Sequence, residues 1–309
     1  MIVYRELESV EADLEFSARV LYSLTNSIEK HYRCTKIPKR DGSFRVLNVP
    51  DELLKTVQRR IANKMLAREP VSRFATAYKS GAFVRKNAYP HVGKEKLLKL
   101  DILHFFDSIL YSTVKEKVFP DSRYSEPIRV LLTMLCYYKD ALPQGAPSSP
   151  VITNIIMRDF DETVGKWCTE RGIDYTRYCD DMTFSGSFDE NEVMGFVEAE
   201  LKKSNFLLNR KKTAVIPSGK RQTVTGIVVN EKLNIPSDYR RRLRQEVYFV
   251  RKYGVEEHLK RIGSGADPTS YLHALLGKIS FVLETRSDDE KFKSDKAFLI
   301  DQIKNNNKK

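Results

Sequence analysis

The order of apolar and polar residues predicts a helix first and then a hairpin. Apolar residues at steps of three and four predict one amphipathic helix near the start of the chain. Its apolar positions are Leu7, Val10, Leu14, Leu21, Leu24 and Ile28. Alternating runs over 32–37 and 44–49 flank the turn residues Arg40-Asp41-Gly42 and predict a β-hairpin. Apolar steps over 54–65 predict a second helix that ends before Pro70.

Strands and helices then alternate until Pro236, after which only helical patterns remain. A short apolar strand is predicted over 97–102, terminating on Asp101. Further helices are predicted over 127–138, 149–170 and 190–204, and strands over 213–217 and 222–229. This order indicates a mixed strand–helix body followed by a helical C-terminal part.

Two adjacent carboxylates, Asp180 and Asp181, interrupt an alternating run between Ile173 and Ser185. The pattern predicts a strand, a tight turn at the carboxylates and a returning strand. Two carboxylates at one turn repel each other, which indicates a bound cation. Two magnesium ions about 3.5–4 Å apart would serve in-line phosphoryl transfer. For this motif alone, a solvated turn is the more ordinary explanation, because Asp is common in turns.

A third carboxylate, Asp101, follows the apolar strand in Leu98-Lys-Leu-Asp-Ile-Leu-His-Phe-Phe-Asp-Ser-Ile109. Asp101 could cap the next helix, but Asp107-Ser108 offers a better cap and leaves Asp101 available as a metal ligand. Two metals need a carboxylate from a second element, and Asp101 is a natural one. Phe106 is placed to lie near a sugar held by these metals, whereas Phe105 is the better candidate for the core.

The segment Leu142-Pro-Gln-Gly-Ala-Pro-Ser-Ser-Pro150 is rich in turn residues and leads into a helix. Gly145 permits close approach of the backbone, and Gln144 could hydrogen-bond a nucleotide or a template strand. As a bare pattern the segment also matches an ordinary Pro/Gly loop.

The charge balance indicates a polyanionic partner. The 53 basic and 41 acidic residues give a net charge of +12, which favours nucleic acid over membrane, with simple solubility as the alternative. The first residues lack the apolar core of a signal peptide, and no apolar run approaches the roughly 18 residues of a membrane span. The cysteines are too scattered for a zinc or redox motif. We therefore expect a cytoplasmic protein with no membrane partner.

In this order, Asp101 with Phe106, the 142–150 segment and Tyr-x-Asp-Asp resemble motifs A, B and C of reverse transcriptases. Ile37-Pro-Lys-Arg-Asp-Gly-Ser-Phe-Arg-Val46 resembles the fingers hairpin, whose basic residues bind the incoming triphosphate. The nucleotide-binding residues implied by the resemblance are Lys39, Arg40, Arg45, Phe106, Gln144 and Gly145. Phe106 would act as the steric gate against ribonucleotides.

The same resemblance implies two Mg²⁺ ions, held by Asp101, Asp180 and Asp181, with Ile102 as a further residue of the metal site. Leu208-Asn-Arg-Lys-Lys-Thr213 resembles motif D, from which Lys212, preferred over Lys211, would protonate the pyrophosphate. Thr223-Val-Thr-Gly-Ile227 resembles the primer-grip region. A departure is Cys179, where the family usually has Ala; because Cys is small and apolar, we expect catalysis to be intact.

Two short elements narrow the resemblance to retron reverse transcriptases: Asn87-Ala-Tyr-Pro-His91 and Val224-Thr225-Gly226. That resemblance implies a structured noncoding RNA that is both template and primer. DNA synthesis would begin at a guanosine 2′-hydroxyl and give branched RNA–DNA (msDNA) used in anti-phage defence, with a possible effector or toxin protein as partner. The residues expected to bind RNA are Asn87, His91, Arg240, Arg241 and Arg244.

The 240–252 segment has six basic residues and one acidic residue, interleaved with aromatic residues. Such a helix suits structured RNA, through phosphate contacts and stacking, although a solvated helix face is the alternative.

The expected fold class is therefore α+β, the right-hand polymerase fold of fingers, palm and helical C-terminal thumb. We expect the N-terminal helix and fingers over 1–96, the palm over 97–232 with a fingers insertion around 115–150, and the thumb over 233–309. About 80 residues follow Gly226, enough for a thumb but too few for an RNase H domain, so host RNase H is expected to remove template RNA.

Three alternatives to the retron assignment remain at this point. One is another bacterial reverse transcriptase, from a defence system, a diversity-generating element or an intron, although this chain lacks the maturase segments of intron proteins. Another is a non-catalytic RNA-binding scaffold, against which the intact carboxylates argue. The last is a viral-type RNA-dependent RNA polymerase, against which Phe106 argues.

Overall fold

The computed structural model describes residues 3–38, 42, 44–79, 81 and 83–306. Its helices are α1 (Leu7–Leu14), α2 (Ala18–Asn26), α3 (Glu52–Arg60), α4 (Val84–Ala88), α5 (Tyr111–Lys117), α6 (Glu126–Cys136), α7 (Ser149–Ile156), α8 (Arg158–Glu170), α9 (Glu190–Lys203), α10 (Ser237–Tyr253), α11 (Val255–Arg261), α12 (Pro268–Thr285) and α13 (Glu290–Asn306). Its strands are β1 (Tyr32–Pro38), β2 (Phe44–Pro50), β3 (Lys96–Leu103), β4 (Asp174–Tyr178), β5 (Asp181–Gly186), β6 (Leu207–Leu208), β7 (Ala214–Pro217), β8 (Thr223–Val224) and β9 (Ile227–Val228).

The chain divides into two compact units. Unit 1 consists of Met1–Ala82 and Leu98–Val215, and unit 2 of Phe83–Leu97 and Ile216–Lys309. No helix in the described ranges combines the length and the hydropathy needed to cross a lipid bilayer. The three-part division into fingers, palm and thumb stays a prediction.

Unit 1 is built around a sheet in the order β4-β5-β3-β6. The centre of this sheet is buried, because β3, β4 and β5 bury most of their residues. One core joins the sheet to helices that bury an apolar side each, including α6, α8 and α9. This well-packed sheet also holds buried polar residues, among them Asp101 on β3 and Arg177 on β4.

Unit 1 also contains the hairpin β1–β2, which pairs Tyr32 with Pro50 at its base and Pro38 with Phe44 at its far end. Most of its residues are exposed on both faces. The hairpin is tied to the rest of the unit near its base, where the Asn48 N–H donates to the Gln144 carbonyl at 3.0 Å. This hairpin confirms the predicted pair of strands.

Unit 2 has its own apolar core, formed largely by α10, α12 and α13. The strands β8 and β9 form a minimal hairpin in which Val224 pairs with Ile227. Its two loop residues, Thr225 and Gly226, both have positive φ, of 46° and 83°. A two-residue loop of this kind matches the twist of antiparallel strands.

Several predicted elements are wrong in detail. The single N-terminal helix is two helices, because Glu15 adopts a left-handed φ of 53° and Arg60 donates to the carbonyls that end α1. The helix over 149–170 breaks at Met157 into α7 and α8. The strand over 222–229 is instead the β8–β9 hairpin, because two residues with positive φ reverse the chain.

The strand that carries Asp101 does not end on it. The strand β3 continues through Asp101 to Leu103, because Ile102 and Leu103 pair with β6. The predicted cap at Asp107-Ser108 is also wrong, since the next helix, α5, begins only at Tyr111. Asp101 is therefore positioned by its place inside β3, and competition between helix caps plays no part.

Candidate active site

The Asp-Asp turn connects β4 to β5. Tyr178 pairs with Asp181, which leaves Cys179 and Asp180 as a two-residue loop. Cys179 has a φ of 62° and a buried side chain, and its Sγ accepts a hydrogen bond from the Tyr78 hydroxyl at 3.4 Å. The Asp180 carbonyl accepts from the Ile102 N–H at 3.1 Å, so this loop is tied to β3 next to Asp101.

Asp101 is held from two sides by the segment that resembles motif D. Asn209 donates its backbone N–H to the Asp101 carbonyl at 2.8 Å and its Nδ2 to Oδ1 at 2.9 Å. The Lys212 Nζ donates to Oδ2 at 2.6 Å. Sequence reasoning overlooked Asn209, although its place directly before the basic residues of that motif was a usable signal.

Burial and neighbouring charges raise the pKa of one of the three carboxylates. Burial raises the pKa of Asp181, and the nearby carboxylates of Asp180 and Asp101 raise it further, to about 6. Partial burial opposes a charged Lys212, yet its hydrogen bond to Asp101 and the charges of Asp180 and Asp181 raise its pKa overall. Negative charge is therefore concentrated where the ammonium groups of Lys99 and Lys212 only partly compensate it.

These groups line a cavity of about 650 Å³ in unit 1. Predicted site residues that line it are Asp101, Ile102, Asp180, Asp181, Lys212, Arg45, Phe106 and Gln144. The exposed hairpin contributes Phe44 and Val46 as well as Arg45. Lys39 and Arg40, predicted to bind the triphosphate, lie outside the described residues.

Phe106 is half-buried, and its ring meets that of Phe105 edge-on, with centroids 5.4 Å apart. Its carbonyl accepts from the Leu142 N–H at 3.2 Å, which ties the residues after β3 to the 142–150 segment. Phe105 is buried in the core, as predicted, and packs against Phe206. The two neighbouring rings thus have different surroundings.

Gly145 approaches the exposed hairpin rather than lining the cavity. It has a φ of 120°, and a Cβ added there would lie 3.0 Å from the Asn48 carbonyl oxygen and 3.6 Å from Val49 Cγ2. Both the backbone conformation and the lack of space favour glycine at this position. The close approach expected of Gly145 is therefore to a strand of its own unit.

Comparison with known proteins places this geometry in a family. The family model "Reverse transcriptase (RNA-dependent DNA polymerase)" matches residues 37–231. The chain is 33% identical over 283 residues to the retron Mx65 reverse transcriptase of Myxococcus xanthus, covering 83% of this chain and 66% of that protein. It is 31% identical to the retron Ec83 reverse transcriptase of Escherichia coli, covering 71% of this chain and 75% of that protein. The chain belongs to the retron-type reverse transcriptases.

The family match confirms the expected fold class, α+β of the right-hand polymerase type. Among solved structures, this reverse transcriptase is similar to apo telomerase from Candida tropicalis, with a TM-score of 0.49 and 12% identity over 93% of this chain and 63% of that one. A foamy viral protease–reverse transcriptase has a TM-score of 0.46 and 14% identity over 81% of this chain and 36% of that one.

The two short elements that indicated a retron protein meet inside unit 2. Asn87 Nδ2 donates to Thr225 Oγ1 at 3.4 Å, and Thr225 Oγ1 donates to the Val84 carbonyl at 3.4 Å. Asn87 and His91 are only 1% and 0% exposed. The burial and the hydrogen bond of Asn87 favour a role in holding the Thr225 turn, and the contact of Asn87 and His91 with RNA stays a prediction.

The arginines predicted to bind RNA lie on different faces of α10. Arg240 and Arg244 are one turn apart and only partly exposed; Arg244 Nη2 lies 3.9 Å from Asp289 Oδ2, to which Arg286 Nε is 3.5 Å away. Partial burial and the charges of Arg286 and Arg244 lower the pKa of Arg240. Arg241 lies on the exposed side of the same helix. Arg240, Arg241 and Arg244 therefore do not lie on one surface.

Reverse transcriptases use divalent metal ions, and the donor chemistry of the cavity fits such ions. Within the described ranges, no group of three or more His, Cys, Asp or Glu side chains is already arranged to hold a metal. However, the carboxylate oxygens of Asp101, Asp180 and Asp181 are the hard donors that such ions prefer. The Lys212 ammonium on Asp101 Oδ2 neutralises charge that a divalent cation would also neutralise.

Proposed function

We propose that this retron-type reverse transcriptase polymerises DNA in the unit 1 cavity, on a dedicated structured RNA that is both template and primer. The observation that carries the proposal is the meeting of Asp101, Asp180, Asp181 and Lys212 at one cavity that Phe106 also lines. A solvated hairpin turn would not need two carboxylates close enough to raise the pKa of Asp181, nor a lysine paired to a buried aspartate. The site therefore supports catalysis rather than a scaffold.

Asp101, Asp180 and Asp181 would hold two Mg²⁺ ions, which when bound lower the pKa of the primer hydroxyl and neutralise charge on the leaving pyrophosphate. Ile102 contributes to this site through its N–H, which orients the loop carrying Asp180. Asn209 fixes the rotamer of Asp101 by donating to Oδ1. The carboxylates are thus oriented by backbone and amide donors.

Lys212 is the proposed acid for the pyrophosphate. Its raised pKa keeps the ammonium protonated at neutral pH, so a proton is held at Nζ within the cavity. Lys211 does not line the cavity. Arg45, on the exposed hairpin, and Gln144 line the same cavity. Arg45 would bind triphosphate oxygens, and Gln144 would hydrogen-bond the nucleotide or the template. Phe106 would exclude the 2′-hydroxyl of a ribonucleotide.

The RNA partner is proposed from the retron relatives. Synthesis would begin at a guanosine 2′-hydroxyl and yield branched msDNA in anti-phage defence, with host RNase H and an effector or toxin protein as further partners. A cytoplasmic location belongs to the same proposal. Within unit 2, we assign RNA contact to the exposed side of α10, where Arg241, Tyr248 and Lys252 offer two cations and a ring for stacking.

The test starts with sequencing the nucleic acid that co-purifies with the protein. That RNA, with deoxynucleotides and Mg²⁺, should then yield DNA that a debranching enzyme releases from a 2′,5′ linkage. A linear product extended from a 3′-hydroxyl would contradict the retron priming but leave the polymerase. No DNA on either the cognate RNA or a generic annealed primer–template would instead favour a non-catalytic RNA-binding scaffold.

Arg241→Glu tests the RNA-binding face separately. Each lost single-strand phosphate contact should reduce the log–log slope of RNA affinity against salt by about 0.7. Lys291→Glu on α13 makes the same charge change on an exposed residue of the same unit and serves as the control. Equal effects of the two variants would contradict the assignment of α10.

A further inference from the structure

Among the described residues, the largest fully buried side chain is a charged one, Arg177 on β4. Its guanidinium forms a bidentate ion pair with Asp161 on α8, with Nε to Oδ1 at 2.8 Å and Nη2 to Oδ2 at 2.6 Å. Both side chains are 0% exposed. Burying two charges costs free energy. The presence of this pair in the core therefore calls for an explanation from the groups around it.

The third guanidinium nitrogen reaches the loop that carries the metal-binding carboxylates. Arg177 Nη1 donates to the carbonyl of Cys179 at 2.8 Å, directly before Asp180. Asn154 Oδ1 on α7 is a further acceptor, 3.4 Å from Nη2. All three nitrogens therefore have partners, and one of those partners is the backbone of the loop.

The loop conformation is one that needs support. Cys179 is a residue with a Cβ in the left-handed region, which is unfavourable for such residues. Of the two loop carbonyls, that of Asp180 is held by the Ile102 N–H and that of Cys179 by Arg177. The two bonds come from different strands, β3 and β4, and together they hold the backbone that carries Asp180 and Asp181.

Arg177 is itself held rigidly. Its backbone N–H donates to the Phe74 carbonyl at 2.8 Å, and its carbonyl accepts from the Thr76 N–H at 2.8 Å and the Thr76 Oγ1 at 2.9 Å. Asp161 fixes the other end, and it also accepts from the Tyr175 hydroxyl at 2.9 Å. A donor fixed at both ends places its third nitrogen with little freedom.

We propose that Arg177 is a positioning residue of the polymerase site, which fixes the Cys179 carbonyl and through it the carboxylates of Asp180 and Asp181. Stability alone does not account for the ion pair, because apolar side chains of similar volume commonly stabilise a core equally well. The Asp161 carboxylate serves to hold the guanidinium so that Nη1 points at the loop. This inference rests on the proposed function, since it concerns the same cavity.

The test separates positioning from stability with two variants. Arg177→Lys keeps a positive charge beside Asp161, but a single ammonium group cannot reproduce the fixed fork of a guanidinium. Asp161→Leu/Arg177→Met/Tyr175→Phe removes the whole buried network without leaving a charge unpaired. Tyr175→Phe alone is the matched control, because it removes a bond to Asp161 and leaves the Arg177–Cys179 bond.

Each variant is measured in three ways: the urea midpoint of unfolding, kcat and KM on a primer–template, and the dissociation constant of Mn²⁺ by electron paramagnetic resonance without nucleic acid. We expect Arg177→Lys and the triple variant to fold, with kcat lowered about 100-fold and the KM for deoxynucleotide nearly unchanged. Mn²⁺ should bind about tenfold more weakly, because residues behind metal ligands tune affinity by such factors. Tyr175→Phe should keep both values.

A folded Arg177→Lys or triple variant with the kcat and Mn²⁺ affinity of the unmodified protein would overturn the inference. If the triple variant does not fold, Arg177→Lys decides alone. Failure of the proposed function is a different result: the unmodified protein would then make no DNA on any primer–template.

Discussion

Unit 1 contains two antiparallel hairpins with opposite surroundings. The β1–β2 hairpin is exposed along most of both strands, whereas β4–β5 buries its central residues on both faces. Both contribute to the same cavity, one with Arg45 and the other with Asp180 and Asp181. The pairing of strands is alike, so the difference lies in what packs against them.

This difference matches the demands of the two proposed tasks. Metal-binding carboxylates must keep fixed positions, and a hairpin buried on both faces has little freedom to move them. A residue that receives a nucleotide benefits from a segment with few buried contacts, because such segments open at low cost in free energy. The comparison predicts that changes in the two hairpins will affect different measured quantities.

The largest effect is expected at the loop of the buried hairpin. Asp180→Asn should lower DNA synthesis about 1000-fold or more, because a neutral amide replaces a charge that the metals need. Asp174→Asn, at the opposite end of the same hairpin and paired with Ser185, is the control and should stay close to the unmodified protein. Primer extension measures both, and circular dichroism checks that both fold. Near-normal synthesis by Asp180→Asn would contradict the metal assignment.

The stability of unit 1 should depend on the buried hairpin and hardly on the exposed one. Phe184 is 0% exposed and stacks on Tyr175, so Phe184→Ala should reduce the free energy of unfolding by about 3–5 kcal/mol. Phe44 is 58% exposed, and Phe44→Ala should change it by less than about 0.5 kcal/mol. Urea unfolding of both variants measures the difference. Equal losses would show that β1–β2 is packed against something in solution.

Phe106 faces the cavity that both hairpins line, and its effect should fall on selectivity. Phe106→Ala should raise ribonucleotide use relative to deoxynucleotide by about 10- to 100-fold, because the ring fills the space of a 2′-hydroxyl. The ratio of kcat/KM for the two nucleotides measures this, together with the melting temperature. Phe105→Ala is the control, which should lose stability without a change in that ratio. Loss of stability with unchanged selectivity in Phe106→Ala would assign the ring to the core.

The smallest effect is expected from the exposed hairpin. Arg45→Ala should raise the KM for deoxynucleotide about tenfold with little change in kcat, because it removes one charge-assisted contact to phosphate. Arg33→Ala, on β1 of the same hairpin and away from the cavity, is the control. A fall in kcat with an unchanged KM would mean that this hairpin also positions reacting groups, and the contrast between the hairpins would weaken.

The sequence predicted those parts of the site that rest on local pattern. Alternation and turn residues predicted both hairpins, and the apolar strand predicted Asp101, because each signal lies within a few residues. Asn209 and Arg177 were not predicted to act on the site, since their roles depend on partners 108 and 16 residues away. A basic residue in an alternating run gives no sign that a carboxylate from α8 will pair with it.

Other differences have the same origin. Asn87 and His91 were expected at an RNA surface, but their burial depends on how the segment folds onto the β8–β9 turn of unit 2. The faces of α10 were not distinguished, because charge counts along 240–252 do not show which arginines approach Asp289. Local periodicity predicts a helix or strand well, but it does not show which residues from distant parts of the chain will pack against that element.

The contact between Gly145 and Asn48 also bears on which substitutions the exposed hairpin can accept. The bond from the Asn48 N–H to the Gln144 carbonyl joins two backbones, and Gly145 lets them approach without any side chain between them. Most outward positions of β1 and β2 can therefore be exchanged while the strand stays in register against this loop. A library of variants over the hairpin should retain folded members at nearly every position, whereas any residue with a Cβ at position 145 should destabilise the fold.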